Sequence, residues 1–449
     1  KVILPRATHD ANRAYAESGM LSAAQDYEMG GMQLPYSVEA AANAFFACAS
    51  VSIGSGMLTT GNANLLMKHG TAMQKAVFSK NEFAGPWSGT MCRTGPQGGT
   101  DLGLIRTRAE PAGDGTYTIH GTKIFISAGE HDLTENIVHL VLARLPDAPA
   151  GVRGISLFVC PKFLPTADGG VGERNALACG AIEKKMGIKA SPTCVMNFDG
   201  AKGWLVGVPH KGLAAMFTMM NAARLAVGIQ GLGVAEAAYQ GAASYARSRL
   251  QMRAPTGAKY PEQAADPIIV HPDIRRMLMK MRVMNEGCRA LAMWIGFELD
   301  VSTSHPDAER RAAADDLVAL MTPIVKSMLT DQGFNAANDG VQIHGGHGDT
   351  PGRGRGALGV IGSRDEQRRV VGEDRRTEAQ RGGVWGIVQA AGEEHVGRLF
   401  RADGRRKEPG QSAIGRERWL NDDRAESRLV AGDADVIAGK FDLGERVDS

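Results

Sequence analysis

The chain has 449 residues, of which 43% are hydrophobic and 22% charged, with a formal net charge of +2. At about 150 residues per domain this leaves room for two to four domains with a sizeable core, and the balanced charge favours neither a nucleic acid nor an anionic membrane surface as a partner. Six scattered cysteines without a C-x-x-C pair give no disulfide framework or zinc ribbon and indicate a reducing compartment. The longest apolar runs, such as Ile155–Cys160 and the stretch around Leu213–Met220, are far too short to cross a bilayer. The chain begins at Lys1 without a signal or transit pattern, and the expectation is a fragment or a processed product.

Residues 1–86 are expected to form a helical domain, because Ala11–Ser18, Val38–Ser50 and Leu65–Ser79 carry Ala, Leu and Met at helical spacing. From Phe83–Met91 the pattern becomes short and strand-like. Thr116–Ile119 and Lys123–Ser127 alternate, with a corner predicted at His120-Gly121, and Ile137–Leu145, Gly154–Pro161 and Val195–Phe198 continue the set. No helix separates them, so residues 87–200 are expected to form an antiparallel β domain. Leu213–Leu250, Asp273–Glu298, Arg310–Gly333 and Gly333–Ile343 predict a helical bundle over 201–348, and the fold class is α+β in the order helical, β, helical.

Three segments carry candidate chemistry. Met91–Asp101 is a Gly-rich loop after an apolar strand, read either as backbone donors facing a ligand or as a tight Pro/Gly turn. Gly121–Gly129 ends in an aromatic, a hydroxyl and a small-residue turn; Phe125 could stack on a planar ring with Ser127 beside it, or the segment is an ordinary buried strand. Gln342–Gly348 has two His three apart but no further ligand at zinc spacing, so close backbone approach is the better reading. Gly231–Glu236 lacks the third glycine of a dinucleotide fingerprint and lies inside a helical run.

Taken together and in order, these segments resemble the acyl-CoA dehydrogenase family over residues 1–348. Gly121–Asn136, Glu183–Ile188 and Asn221–Arg224 are similar to its large bacterial branch, which includes methylmercaptopropionyl-CoA and fatty acyl-CoA dehydrogenases. The resemblance implies an N-terminal helical domain, a middle β domain, an incomplete C-terminal bundle and non-covalent FAD. It implies α,β-dehydrogenation of an acyl-CoA, with a Glu taking the α-proton and hydride passing to the flavin. Met91 and Thr94 would line the flavin ring, Gly99 would approach it, Phe125 would pack on it and Ser127 would bond near it. Thr100, Asn221 and Arg224 would meet the substrate. Arg249, Gln342 and Gly346 would reach the cofactor across a subunit interface, which implies a homodimer or homotetramer. An electron-transfer flavoprotein as acceptor and a cytoplasmic location also follow from the resemblance. A non-catalytic flavin-binding relative and an oxidase are the alternatives.

The chain departs from that pattern at three places. Arg93-Thr94-Gly95-Pro96 stands where the branch usually has Leu-Thr-Glu-Pro. Asp339 occupies a position that is usually apolar. The two positions at which family members carry the proton-abstracting Glu are here Ala223 and Arg369, so no catalytic residue is assigned. Residues 349–449 also hold none of the 20 Met, 7 Tyr or 6 Cys, and have 17 Arg against 2 Lys. We therefore expect this stretch to derive from a reading-frame shift in a GC-rich gene.

Overall fold

The computed structural model describes residues 2–348. The expectation for residues 349–449, including Arg369, lies outside the described residues. The N-terminal part contains α1 (Arg6–Glu17), α2 (Tyr36–Ala49), α3 (Ser55–His69), α4 (Ala72–Gln74), a π-helical turn at Lys75–Ser79, and α5 (Lys80–Ala84). Thr71 and Gln74 make a reciprocal capping box that starts α4, and Gln74 Nε2 donates onward to the Leu205 carbonyl at 2.9 Å. One residue thus begins a helix and ties it to the β domain.

Nine strands follow: β1 (Trp87–Cys92), β2 (Arg108–Pro111), β3 (Tyr117–Ser127), β4 (Asn136–Arg144), β5 (Ile155–Pro161), β6 (Phe163–Pro165), β7 (Val171–Arg174), β8 (Leu177–Ile182) and β9 (Thr193–Val206). Pairing runs β4–β5–β9–β3–β2 and returns from β2 to β4 through Arg108 and Arg144, so five strands close on themselves. β1 adds beside β4, β8 beside β9, and β6 with β7 forms a separate hairpin.

Most pairs are antiparallel as expected. β1 and β2, however, run parallel to β4, which the long excursion through β3 makes possible. The predicted corner at His120-Gly121 is no corner. β3 is continuous, and the irregularity is absorbed by register shifts at Ile119/His120 and Lys123/Ile126, with Gly121 at φ +139°. A Cβ on Gly121 would stand 2.9 Å from the Thr107 backbone, so glycine here answers both a torsion and a close approach. β2, β6, β7 and β8 escaped the sequence reading because they are short and at most one residue of each is buried.

β4 reads as a continuous apolar run because both its faces are covered. On one side Val141 faces the barrel interior with Ile119, Phe158, Met196 and Phe198. On the other, Leu140 and Leu142 pack with Leu65, Phe78, Trp87 and Met216. The bundle consists of α6 (Gly212–Ser248), α7 (Pro272–Ser304) and α8 (Ala308–His344), with α2 packed against α6 and α7. The two helices expected over 310–343 are one. Gly333 does not break the helix. A Cβ there would lie 2.7 Å from the Gly231 carbonyl, so the glycines let α6 and α8 touch backbone to backbone. Gly233 does the same against α2 at Ala47 and Cys48. α6 is long and apolar enough to cross a membrane by length and composition, and its packing between α2, α3, α7 and α8 accounts for that apolarity. Asp339 is matched by Lys280 from α7 at 2.9 Å, which explains how a carboxylate sits there.

Glu82 on α5 is fully buried against Asn62 and Gly89, and neither carboxyl oxygen has a hydrogen-bond partner among the described residues. Burial raises its pKa well above the usual carboxylate range. The folded chain keeps this group protonated, so its favourable burial is complete below the ordinary carboxylate pKa and is lost as pH rises above it. Glu82→Gln should therefore gain stability over the wild type by up to about 1.4 kcal/mol per pH unit above that value. Denaturant unfolding at pH 5, 6.5 and 8 measures this, and a pH-independent difference between the two proteins would refute it.

Candidate functional site

The end of β1 is held from inside the barrel. Lys123 on β3 is fully buried and its Nζ donates to the Arg93 carbonyl at 3.1 Å, while the Ile124 N–H donates to the Thr94 carbonyl at 2.9 Å. Burial pushes the Lys123 pKa down to about 7, opposed by the Cys92 thiol. After Thr94 the chain makes a tight turn, with Gly98 N–H donating to the Gly95 carbonyl and Gly99 and Thr100 exposed. The turn reading of this loop holds.

Two residues beyond Lys123, Phe125 takes φ +58° and leaves its ring 59% exposed. A left-handed conformation is a true outlier for a bulky residue, and such outliers concentrate at functional sites. Ala128 repeats it at φ +52°, with its N–H donating to the Pro192 carbonyl. Ser127 is exposed between them, and neither its hydroxyl nor that of Thr94 has a hydrogen-bond partner among the described residues. The segment is anchored just behind by the buried Glu130–Lys162 ion pair, with Arg174 on the second Glu130 oxygen at 3.4 Å. His131, kept neutral by burial with a pKa of about 3, contacts the Ser88 hydroxyl at 3.1 Å. These supports were missed in the sequence reading. Their one available signal was the charged run Glu130–Asp132 directly after a strand.

α6 forms the opposite wall. Arg93 Nη1 lies 3.8 Å from Met220 Sδ, Arg224 donates to Asn221 Oδ1 at 3.1 Å, and the Arg224 guanidinium sits 5.9 Å from the Phe217 ring centroid. Arg93, between Met91 and Thr94, thus reaches α6 beside Asn221 and one turn from Arg224, while Thr94 is tied to Ile124 next to Phe125; the Gly99-Thr100 turn follows in the chain. Ala223, half-buried next to Arg224, offers no carboxylate there.

Arg249, Gln342 and Gly346 form a second group. Arg249 ends α6, 28 residues after Asn221, which is roughly 40 Å along a helix. Tyr245 stacks on His344 at 4.6 Å and its hydroxyl lies 3.3 Å from His347 Nδ1, which brings the glycine-rich end of α8 to this end of α6. The loop after Arg249 is closed by Asp266, which is wholly buried. Burial alone would raise its pKa; the N–H groups of Ala254, Tyr260 and Lys259 and the Arg253 guanidinium outweigh that and hold it at about 2. Asp266 was also unread in the sequence, because its donors are backbone groups.

Residues 90–201 match the family model "Acyl-CoA dehydrogenase, middle domain" and residues 210–358 "Acyl-CoA dehydrogenase, C-terminal domain". A 3-methylmercaptopropionyl-CoA dehydrogenase of Ruegeria pomeroyi is 49% identical over 349 residues, covering 78% of this chain and 59% of that protein. A butyryl-CoA dehydrogenase of Syntrophomonas wolfei is 36% identical over 300 residues, covering 65% and 49%. The structure of butyryl-CoA dehydrogenase from Megasphaera elsdenii aligns with a TM-score of 0.62 at 22% identity, covering 82% of this chain and 98% of that one. The chain belongs to the acyl-CoA dehydrogenase family, whose members are FAD-dependent oxidoreductases acting on CH–CH groups. It spans 59% and 49% of the length of these two curated relatives.

The Asp266 carboxylate protects its loop only while ionised. Its contribution is present above the ordinary carboxylate pKa and is lost as pH falls toward about 2. Asp266→Asn should speed amide exchange at Ala254, Lys259 and Tyr260 by about tenfold or more at neutral pH. The difference from wild type should shrink below about pH 3. Hydrogen exchange resolved by residue checks both, and unchanged protection at pH 7 would overturn the assignment.

Proposed function

We propose that this chain binds FAD at the junction of β1 and β3 and an acyl-CoA between that junction and α6, and that it is built for α,β-dehydrogenation of the thioester. The observation that carries the reading is Phe125, held in a left-handed conformation with its ring exposed beside Thr94 and Ser127. An exposed aromatic face close to two hydroxyls without partners among the described residues, Ser127 along the chain and Thr94 through its bond to Ile124, fits an isoalloxazine ring. Bound there, the flavin would supply the hydride acceptor. The chain's own part is to fix the Met91–Thr94 backbone through Lys123 and Ile124, to present Phe125 and Ser127 to the ring, and to hold the thioester against α6 with Asn221 and Arg224. Thr100 and Gly99 border the entrance. The separation of Arg249, Gln342 and Gly346 from this group supports their use on a neighbouring copy, and so a homo-oligomer. An electron-transfer flavoprotein is the proposed acceptor and the cytoplasm the proposed compartment.

Proton abstraction is the weak step. An α-proton of a thioester needs a positioned base, and Ala223 cannot supply one. The chain should bind cofactor and thioester yet turn over slowly. Ala223→Glu places a carboxylate on the wall of the same site and should raise the rate of flavin bleaching by butyryl-CoA by about 10²–10⁴-fold. Stopped-flow absorbance under anaerobic conditions reads this directly. Rapid bleaching by the wild type would show a base supplied from elsewhere in the chain, and failure to bind FAD would refute the reading altogether.

A further inference from the structure

We infer that the cleft between the end of β1 and α6 selects an acyl-CoA whose acyl chain carries a second, free carboxylate, and that Arg93 is the residue that recognises it. The inference rests on the acyl-CoA reading above and adds the substrate class. Arg93 is half-buried, and a guanidinium has five donors and no means of losing its charge. Its side-chain contact is the thioether of Met220 at 3.8 Å, a weak acceptor that does not answer a positive charge. Met220 lies one helical turn before Arg224, so the two residues share a face of α6 and a second guanidinium stands beside the first. Arg224 is matched only by a neutral amide, Asn221, and by the face of Phe217. Neither arginine makes an ion pair among the described residues.

Two converging cations without a counter-charge repel each other, and partial burial adds a desolvation cost; both effects lower the basicity of Arg93. An anion seated between them removes both costs, and a carboxylate matches the guanidinium fork in a bidentate arrangement. The position of Arg93 decides which anion. It lies in the chain between Met91 and Thr94 and opposite Met220, on the side of α6 proposed above to hold the thioester, whereas the nucleotide phosphates of CoA belong to the far end of that ligand. An apolar acyl chain packed over it would cover the half-buried Arg93 without a partner, which disfavours the neutral substrate as well as favouring the charged one.

Calorimetric titration of the full chain, with FAD present, against glutaryl-CoA and pentanoyl-CoA tests this, because the two thioesters share five acyl carbons and differ in the terminal acid. The wild type should bind glutaryl-CoA at least about tenfold more tightly. Arg93→Met should abolish that preference and leave pentanoyl-CoA binding equal or tighter, while Arg93→Lys should keep part of it. Equal affinities in the wild type, or an equal loss of both ligands in Arg93→Met, would overturn the inference and assign Arg93 to the common thioester. If Arg93→Met does not fold, the wild-type ratio and the Lys variant still decide. Binding of pentanoyl-CoA without a glutaryl preference sinks this inference alone; binding of neither thioester sinks the acyl-CoA reading with it.

Discussion

A single ammonium group inside the barrel fixes the end of β1. Lys123 is buried with no carboxylate beside it and spends its donor on the Arg93 carbonyl. A charge in that position is costly, and its lowered pKa is the measure of that cost. What the fold gains is a fixed relation between two strands that do not pair along this stretch. The end of β1, the left-handed turn at Phe125 and, through Arg93, the face of α6 are all referred to the same atom. Loosening that contact would leave the Arg93 carbonyl without its donor, while β4 still holds Met91 and Cys92 and Ile124 still holds Thr94.

Much of the architecture could be read from the chain, and the failures have physical causes. Helices α2, α6 and α7 and strands β4 and β5 lie within a few residues of their predicted places, because each buries a long apolar surface. The splitting of β3 and of α8 came from the same error, the treatment of glycine as punctuation. Gly121 sits at a bulge inside a strand, and Gly333 is a contact surface inside a helix. In both cases the reason for glycine lies in a neighbour distant in sequence, at Thr107 or at Gly231. Local pattern cannot register such a neighbour. The parallel placement of β1 against β4 was hidden for a related reason, since strand direction is set by connection length rather than by composition.

The candidate site was legible as residue types and not as support. Phe125 and Ser127 on β3 and Asn221 and Arg224 on α6 were each visible as residue types. The groups that hold them there, Lys123, Glu130 with Lys162, and Ser88 with His131, carry no motif. Their partners are carbonyl groups and side chains on other strands. Arg93 is the instructive intermediate case. In the sequence it was visible only as a departure from an apolar position, and its surroundings turn that departure into a statement about charge.

The loop between Arg249 and Ile268 offers a last consequence. It closes through the Leu250–Pro267 bridge and through a carboxylate that collects three backbone amides and one guanidinium of its own segment. These bonds begin and end within the loop, and its hydrogen bond with the start of α7, donated by His271 to the Gln251 carbonyl, uses a backbone group that any residue there supplies. Such a segment can lengthen, shorten or change its exposed residues between relatives while Arg249 stays where α6 delivers it, much as a fitting can be exchanged on a fixed mount.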